Sequence, residues 1–170
     1  QPIFPTAGYM CMAWEAALKI SDGRSIQLFE LRDIKIGHGI LLHDIYAGIE
    51  VIFTLTDIMK PSKVTNTLHA RFLCHSCTNK DDGLLVLNAE GEILVTYGTP
   101  SVSELPAIHS HVPNLVETDT EELYTTLNRV GYGYSGDFKS MVSLKRKRNY
   151  SSGMIRRAPT DLVIHPATLD

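Results

Sequence analysis

From Ala7 to Leu18 the chain reads AGYMCMAWEAAL, almost wholly apolar apart from Glu15. Alanine, methionine and leucine favour helix, and Thr6, placed behind Pro5, is a candidate N-cap. A helix apolar nearly all round cannot lie on a surface; protein has to surround it. Ser21-Asp22-Gly23 supplies the turn that leads out of it. The segments that follow offer strands to do the surrounding. Ile49, Val51, Phe53 and Leu55 form one apolar face against Glu50, Thr54 and Thr56 on the other, a clean period of two. Leu68, Ala70, Phe72 and Cys74 repeat it opposite His69, Arg71 and His75. Leu84 to Leu87 and Glu92 to Tyr97 read as the arms of a hairpin that turns at Asn88-Ala89-Glu90-Gly91. Ile26 to Ile36 alternates less well and reads as a strand pair or one bent strand. One buried helix followed by antiparallel strands predicts an α+β fold with a sheet wrapped around a helix.

From Gly98 to Glu117 the character changes. Pro100, Pro106 and Pro113 fall among serines and histidines with no sustained period, which reads as a linker. The predicted division is residues 1–98, a linker over 99–117, and a second half that begins at 118–170. Thr118-Asp119-Thr120-Glu121 has the pattern of a capping box, and Leu123, Leu127 and Val130 follow at helical spacing before Gly131. Ser140 to Arg148 and Leu162 to Ile164 read as strands. Ile3-Phe4-Pro5-Thr6-Ala7 is echoed by Ile164-His165-Pro166-Ala167-Thr168, so Pro166 would open a second central helix.

Composition narrows the function classes. The 170 residues are 44% hydrophobic and 21% charged, ordinary globular fractions, and a chain this long can bury roughly 70% of its unfolded surface. A net charge of −3 gives no support to nucleic-acid binding. No run of 18 or more apolar residues exists to span a membrane. Three cysteines make no disulfide framework and suit a reducing compartment, hence a cytoplasmic protein. The chain opens on Gln1 without a signal segment and stops at Asp170, as an excised piece of something longer would.

Three segments in order carry a resemblance. Phe4-Pro5-Thr6-Ala7-Gly8-Tyr9 with the Ala- and Met-rich helix behind it, Gly131-Tyr132-Gly133-Tyr134-Ser135-Gly136-Asp137-Phe138, and His165-Pro166-Ala167-Thr168-Leu169-Asp170 are similar to polyketide synthase dehydratase domains. The second resembles that family's GYxY(S)GPxF signature and the third its HPxxLD signature. Their wording is closest to the fungal, highly reducing, iterative synthases. Asp137 stands where the family usually has proline, which gives up a fixed φ in that loop.

The resemblance implies a double hotdog, two sheets each around a long helix, with the second truncated at its C-terminal side. It implies loss of water from a β-hydroxyacyl thioester held on the phosphopantetheine of an acyl carrier protein, with no metal and no other cofactor. The acyl carrier protein and the other domains of the same synthase would be partners, and the parent would be a homodimer. Asp170 would be the catalytic aspartate, Tyr134 would line the substrate tunnel, and Gly136 and Pro5 would help shape it. The family's histidine, in HxxxGxxxxP, falls ahead of Gln1 if Pro5 is that proline, so this chain would lack it. The pairing suits the chemistry. A neutral imidazole can take the α-proton beside a thioester, while hydroxide leaves only when an acid protonates it. Burial in an apolar tunnel would keep that aspartate protonated. Asp170 is also an ordinary helix-start acid, and Tyr134 an ordinary tyrosine packed after a tight turn. A product-template domain of a non-reducing synthase, or a non-catalytic hotdog module, would fit the same fold.

Other signals carry less. Cys74-His75-Ser76-Cys77 lacks the second ligand pair that a zinc site needs, and Cys11 is isolated. His109-Ser110-His111 lies in the proline-bearing linker. His165, beside Pro166, reads as part of a strand-to-helix junction. Lys145-Arg146-Lys147-Arg148, with Arg156-Arg157 beyond, reads as a solvated face or as a steering patch for an acidic carrier.

Overall fold

The computed structural model describes residues 3–42, 48–62, 64–78, 83–101 and 112–156. It divides into two compact units, Gln1–Pro106 and Ala107–Asp170.

In the first unit, helix α1 (Thr6–Ile20) is followed by strands β1 (Ile26–Ile36), β2 (Ile49–Met59), β3 (Thr67–Thr78) and β4 (Val86–Tyr97). The strands form one antiparallel sheet in the order β1-β4-β3-β2. The alternation read along β3 is borne out: Leu68, Ala70, Phe72 and Cys74 are all buried. Their partners on β4 are Val95, Ile93, Gly91 and Ala89, so apolar pairs stack along the core face. Against them the helix sets Tyr9, Ala13 and Ala17, one stripe at four-residue spacing. The two alanines keep that stripe small, which lets the helix lie close to the sheet. Trp14 meets Phe29 of β1 edge-on with ring centroids 5.0 Å apart. At the helix end, buried Ser21 donates from Oγ to Ala17 O at 2.7 Å and accepts from the Tyr97 hydroxyl at 3.0 Å.

Three sequence expectations change here. Burial of α1 in this unit is one-sided: Leu18 and Lys19 are exposed and Cys11, Met12 and Trp14 half-buried. The N-cap is Pro5, not Thr6, which is the first helical residue; Pro5 holds φ −68° and its carbonyl accepts from Gly8 N at 2.9 Å. Asn88 to Gly91 do not turn; β4 runs through them as one strand. Turn-prone residues stand there for packing: a Cβ on Gly91 would fall 2.7 Å from Phe72 Cε1 and 3.1 Å from Arg32 O. Phe72 in turn stacks on Phe53 at 5.2 Å. Of the two readings left open for Ile26–Ile36, the single bent strand holds, with register shifts at Ile26/Leu28 and Arg32/Lys35 and Asp33 at φ +49°.

The opposite face of this sheet is ionic. Arg71 and Lys35 both pair with Glu90, and His69 Nε2 lies 3.2 Å from Glu92. The Arg71 guanidinium holds the Glu90 carboxyl below its ordinary range. Exposed pairs of this kind add little stability; they keep this face polar.

Cys74 is fully buried, and burial pushes its thiol up from the usual value. Cys77, on the same strand, places Sγ 3.7 Å from Glu50 Oε2. We predict that Cys74 resists alkylation in native protein and reacts at the rate of a free thiol only after denaturation. Mass-spectrometric peptide mapping checks this, and rapid native labelling of Cys74 would contradict the packing described.

The second unit carries β5 (Val116–Thr118), helix α2 (Thr120–Arg129), a short 3₁₀ turn (Gly136–Phe138), and strands β6 (Met141–Lys147) and β7 (Tyr150–Ile155). The sheet order is β5-β6-β7, antiparallel. Strand β5 overlaps the end of the segment read as linker, because Val116-Glu117-Thr118 pairs with Arg146-Lys145-Leu144. The cap of α2 is Asp119, whose Oδ1 accepts from Glu121 N at 2.8 Å and Glu122 N at 3.2 Å; Thr118 ends the strand instead. Gly131 closes α2 at φ +101°: its N–H reaches Asn128 O, and Tyr132 N reaches Leu127 O. That pair of bonds satisfies the last carbonyls in the manner of a glycine-terminated helix. Replacing Asp119 with Ala leaves two helix-start N–H groups without their acceptor and is expected to cost about 1 kcal/mol. Denaturant titration checks it; an unchanged midpoint would contradict the cap.

Among the described residues no helix is long and apolar enough to cross a membrane.

Candidate functional site

The residues nominated from sequence fall in three places. Pro5 stands at the entry to α1 in the first unit. Tyr134 and Gly136 stand in the second, in the segment that joins α2 to β6. Asp170 lies outside the described residues, as do His165, Pro166, the Leu162 to Ile164 segment and the His109-Ser110-His111 pair.

Tyr134 is half-buried within a small aromatic group. Its ring packs edge-on to Tyr124 of α2 at 6.2 Å and lies nearly parallel to Tyr132 at 6.5 Å. Its backbone N–H donates to Tyr132 O at 3.1 Å, and this tight turn swings the side chain back onto the helix. Gly136 follows at φ +56°, a left-handed conformation that a side chain disfavours, and it starts the 3₁₀ turn. Its carbonyl accepts from Lys139 N at 3.0 Å. Asp137 sits inside that turn without proline's fixed φ.

Two residues that sequence reasoning passed over hold this segment in place. Tyr124 accepts from Met141 N at 3.0 Å through its hydroxyl, which ties α2 to the start of β6. Lys139 pairs with Glu121 at 2.6 Å and lies 5.3 Å from the centre of the Tyr124 ring. No simple pattern announces them: each contact joins α2 to a residue 17 or 18 positions along the chain. Together they fix the 132–139 loop on two elements, so the orientation of Tyr134 is set by packing rather than by the loop alone.

The basic run divides as its strand requires. Lys145 stands opposite Glu117 and Arg146 opposite Val116, while Lys147 donates to Pro113 O at 3.3 Å. All are exposed. Among the described residues no group of three or more His, Cys, Asp or Glu could hold a metal ion.

No protein-family model matches the chain. Complete synthases do. The whole chain is 39% identical over 176 residues to a hybrid polyketide–nonribosomal peptide synthetase, pydA, of an Acremonium species, where it covers 4% of that protein. It is 38% identical over 171 residues to the highly reducing polyketide synthase aurA of Calcarisporium arbuscula, covering 7%. Among solved structures, the dehydratase domain from the CurF module of curacin polyketide synthase superposes with a TM-score of 0.71 over 99% of this chain and 59% of that one, at 18% identity. The CurK dehydratase domain of the same synthase gives 0.71 over 99% and 56%. The chain has the fold of these polyketide synthase dehydratase domains. It thus spans only a small part of its curated relatives and just over half of the solved domains. The hotdog arrangement of helix and sheet expected from sequence is the fold these structures share. These curated relatives are a hybrid polyketide–nonribosomal peptide synthetase and a highly reducing polyketide synthase.

Proposed function

We propose that this chain is the larger part of a dehydratase domain that removes water from a β-hydroxyacyl thioester and leaves an α,β-enoyl chain. The observation that carries the proposal is the end-to-end match to highly reducing synthases combined with the dehydratase fold. The substrate would ride on the phosphopantetheine of an acyl carrier protein, and the step would need no redox group or metal. Residues 1–98 would form the first hotdog and 118–170 the start of the second, joined through 99–117. The parent would act in the cytoplasm as a homodimer.

On this reading Asp170 is the acid. In its protonated form it would give its proton to the departing hydroxyl, while a histidine carried on the chain ahead of Gln1 would take the α-proton. The C–O bond breaks as the C–H electron pair becomes the new double bond, and water leaves with the proton that Asp170 supplied. Tyr134, braced by Tyr124 and Tyr132, would turn its hydroxyl toward the acyl chain. Gly136 would let the backbone pass close to it, and Pro5 would fix the direction in which the chain enters α1.

The test is product analysis. A linear β-hydroxyacyl carrier is given to the intact dehydratase region, with extraction after thioester cleavage. Elimination yields a linear enoyl acid. A cyclised product would replace the proposal with the product-template reading, and untouched substrate would support a non-catalytic module.

A further inference from the structure

The first unit contains a tie that the proposed chemistry does not use. Strand β4 carries a bulge where it meets β3: Cys74 faces Ala89 and His75 faces Leu87, which leaves Asn88 as the extra residue. A bulge of this kind turns a side chain out of its alternating place. Asn88 and Ala89 are consecutive and both buried, with Asn88 at 1% exposure. From there Asn88 grips the segment Gly37–Ile40 twice. Its Nδ2 donates to His38 O at 3.0 Å, and its backbone carbonyl accepts from Gly37 N at 2.8 Å. Its Oδ1 meets no donor among the described residues. Burying an amide with half its capacity unmet is unfavourable, so filling space does not account for an asparagine here.

The gripped segment is itself a strap over the start of the helix. Ile40 is buried in the core beside Tyr9, and its carbonyl accepts from Phe4 N at 2.9 Å. Leu41 bridges to Ile3 in antiparallel fashion. A Cβ on Gly39 would fall 3.2 Å from Ile3 Cγ2, so strap and entering chain lie in close contact. Phe4 then packs edge-on to Tyr9 at 5.1 Å. The links run without a gap: Asn88 holds the strap, the strap holds Ile3 and Phe4, and these set the path of the chain that enters α1.

We propose that Asn88 is a positioning residue for the dehydration. Resting on the function proposed above, in which the base sits on the chain ahead of Gln1, that base takes its placement from the strap. Asn88 does not touch the substrate. It sets where the α-proton acceptor stands, and a misplacement of about 1 Å costs on the order of 100-fold in rate.

The test uses the full-length synthase with Asn88→Ala, which removes the donor, and Asn88→Asp, which replaces it with a second acceptor facing His38 O. Ser21→Ala is the comparison: it loses a buried pair of hydrogen bonds at the far end of α1, away from the strap. The expected result is a fall of about 10- to 100-fold in kcat for both Asn88 variants with KM within about twofold of wild type. Hydrogen exchange should quicken in peptides that span 3–9 and 37–41. Ser21→Ala should keep its kcat at a comparable loss of thermal stability. A folded Asn88→Ala with wild-type kcat, a kcat loss that Ser21→Ala shares, or unchanged exchange in both peptides would overturn the proposal. Should Asn88→Asp not fold, Asn88→Ala decides alone. If the wild type itself performs no dehydration, the functional reading fails, and the exchange rates still decide whether Asn88 holds the strap.

Discussion

Replacing Asp170 with Asn in the intact dehydratase region is expected to lower the rate of water loss by about 10²- to 10⁴-fold, the range that a positioned proton donor contributes. The substitution keeps the size of the side chain and a hydrogen-bond donor but removes the transferable proton. Hydroxide then has to leave without protonation. Binding depends on the length of the acyl chain and its pantetheine arm, so KM should change little while kcat collapses. The pH profile gives an independent sign. A protonated acid and a neutral base are needed together, so the wild-type rate should fall at high pH as the acid ionises and at low pH as the imidazole charges. In Asp170→Asn the residual rate should lose its high-pH limb and keep its low-pH one. Steady-state kinetics with a carrier-bound β-hydroxyacyl substrate decides the matter. A variant within about threefold of wild type would remove Asp170 from the chemistry.

The second large effect concerns the first unit alone. Phe72 is 1% exposed, stacks on Phe53 and covers Gly91 at a position where no Cβ fits. Phe72→Ala removes the ring, and Gly91 across the strand offers no side chain to fill the void. Large-to-small changes at such aromatic sites cost about 3–5 kcal/mol. Against a typical total of about 5–15 kcal/mol this is enough to unfold a marginal domain. Denaturant unfolding should show a clear fall in midpoint with the slope unchanged. A loss below about 1 kcal/mol would mean that the ring is not the centre of the core described here.

These two residues differ in how far the sequence alone identifies them. Phe72 stands in a strand whose every second residue is apolar, and burial of one face is what that alternation means physically; it could be read directly. Helix α1 was legible for a similar reason. Strand β4 was not. Asn88 and Gly91 look like turn residues, and local propensity says so. The structure uses Gly91 to admit a ring from the neighbouring strand and Asn88 to form a bulge, and both needs arise only after β3 and β4 have paired. The start of α2 shows the same limit at smaller scale. Thr118 and Asp119 are both good caps, and the choice between them was made by β6, which draws Thr118 into the sheet. In the second unit Tyr134 and Gly136 were nominated from a motif, whereas Tyr124 and Lys139, which brace that loop, carry no motif at all. Residues that act through a tertiary contact leave no periodic trace in the sequence.

Departure of the β-hydroxyl is the event on which the proposed function rests. The most direct measurement is the mass of an acyl carrier protein loaded with a β-hydroxyacyl chain, before and after incubation with the intact dehydratase region. Each loaded carrier should lose the mass of one water, and the Asp170→Asn region should leave it unchanged over the same time. A folded wild-type region that returns the β-hydroxyacyl carrier at its starting mass would contradict the proposed function.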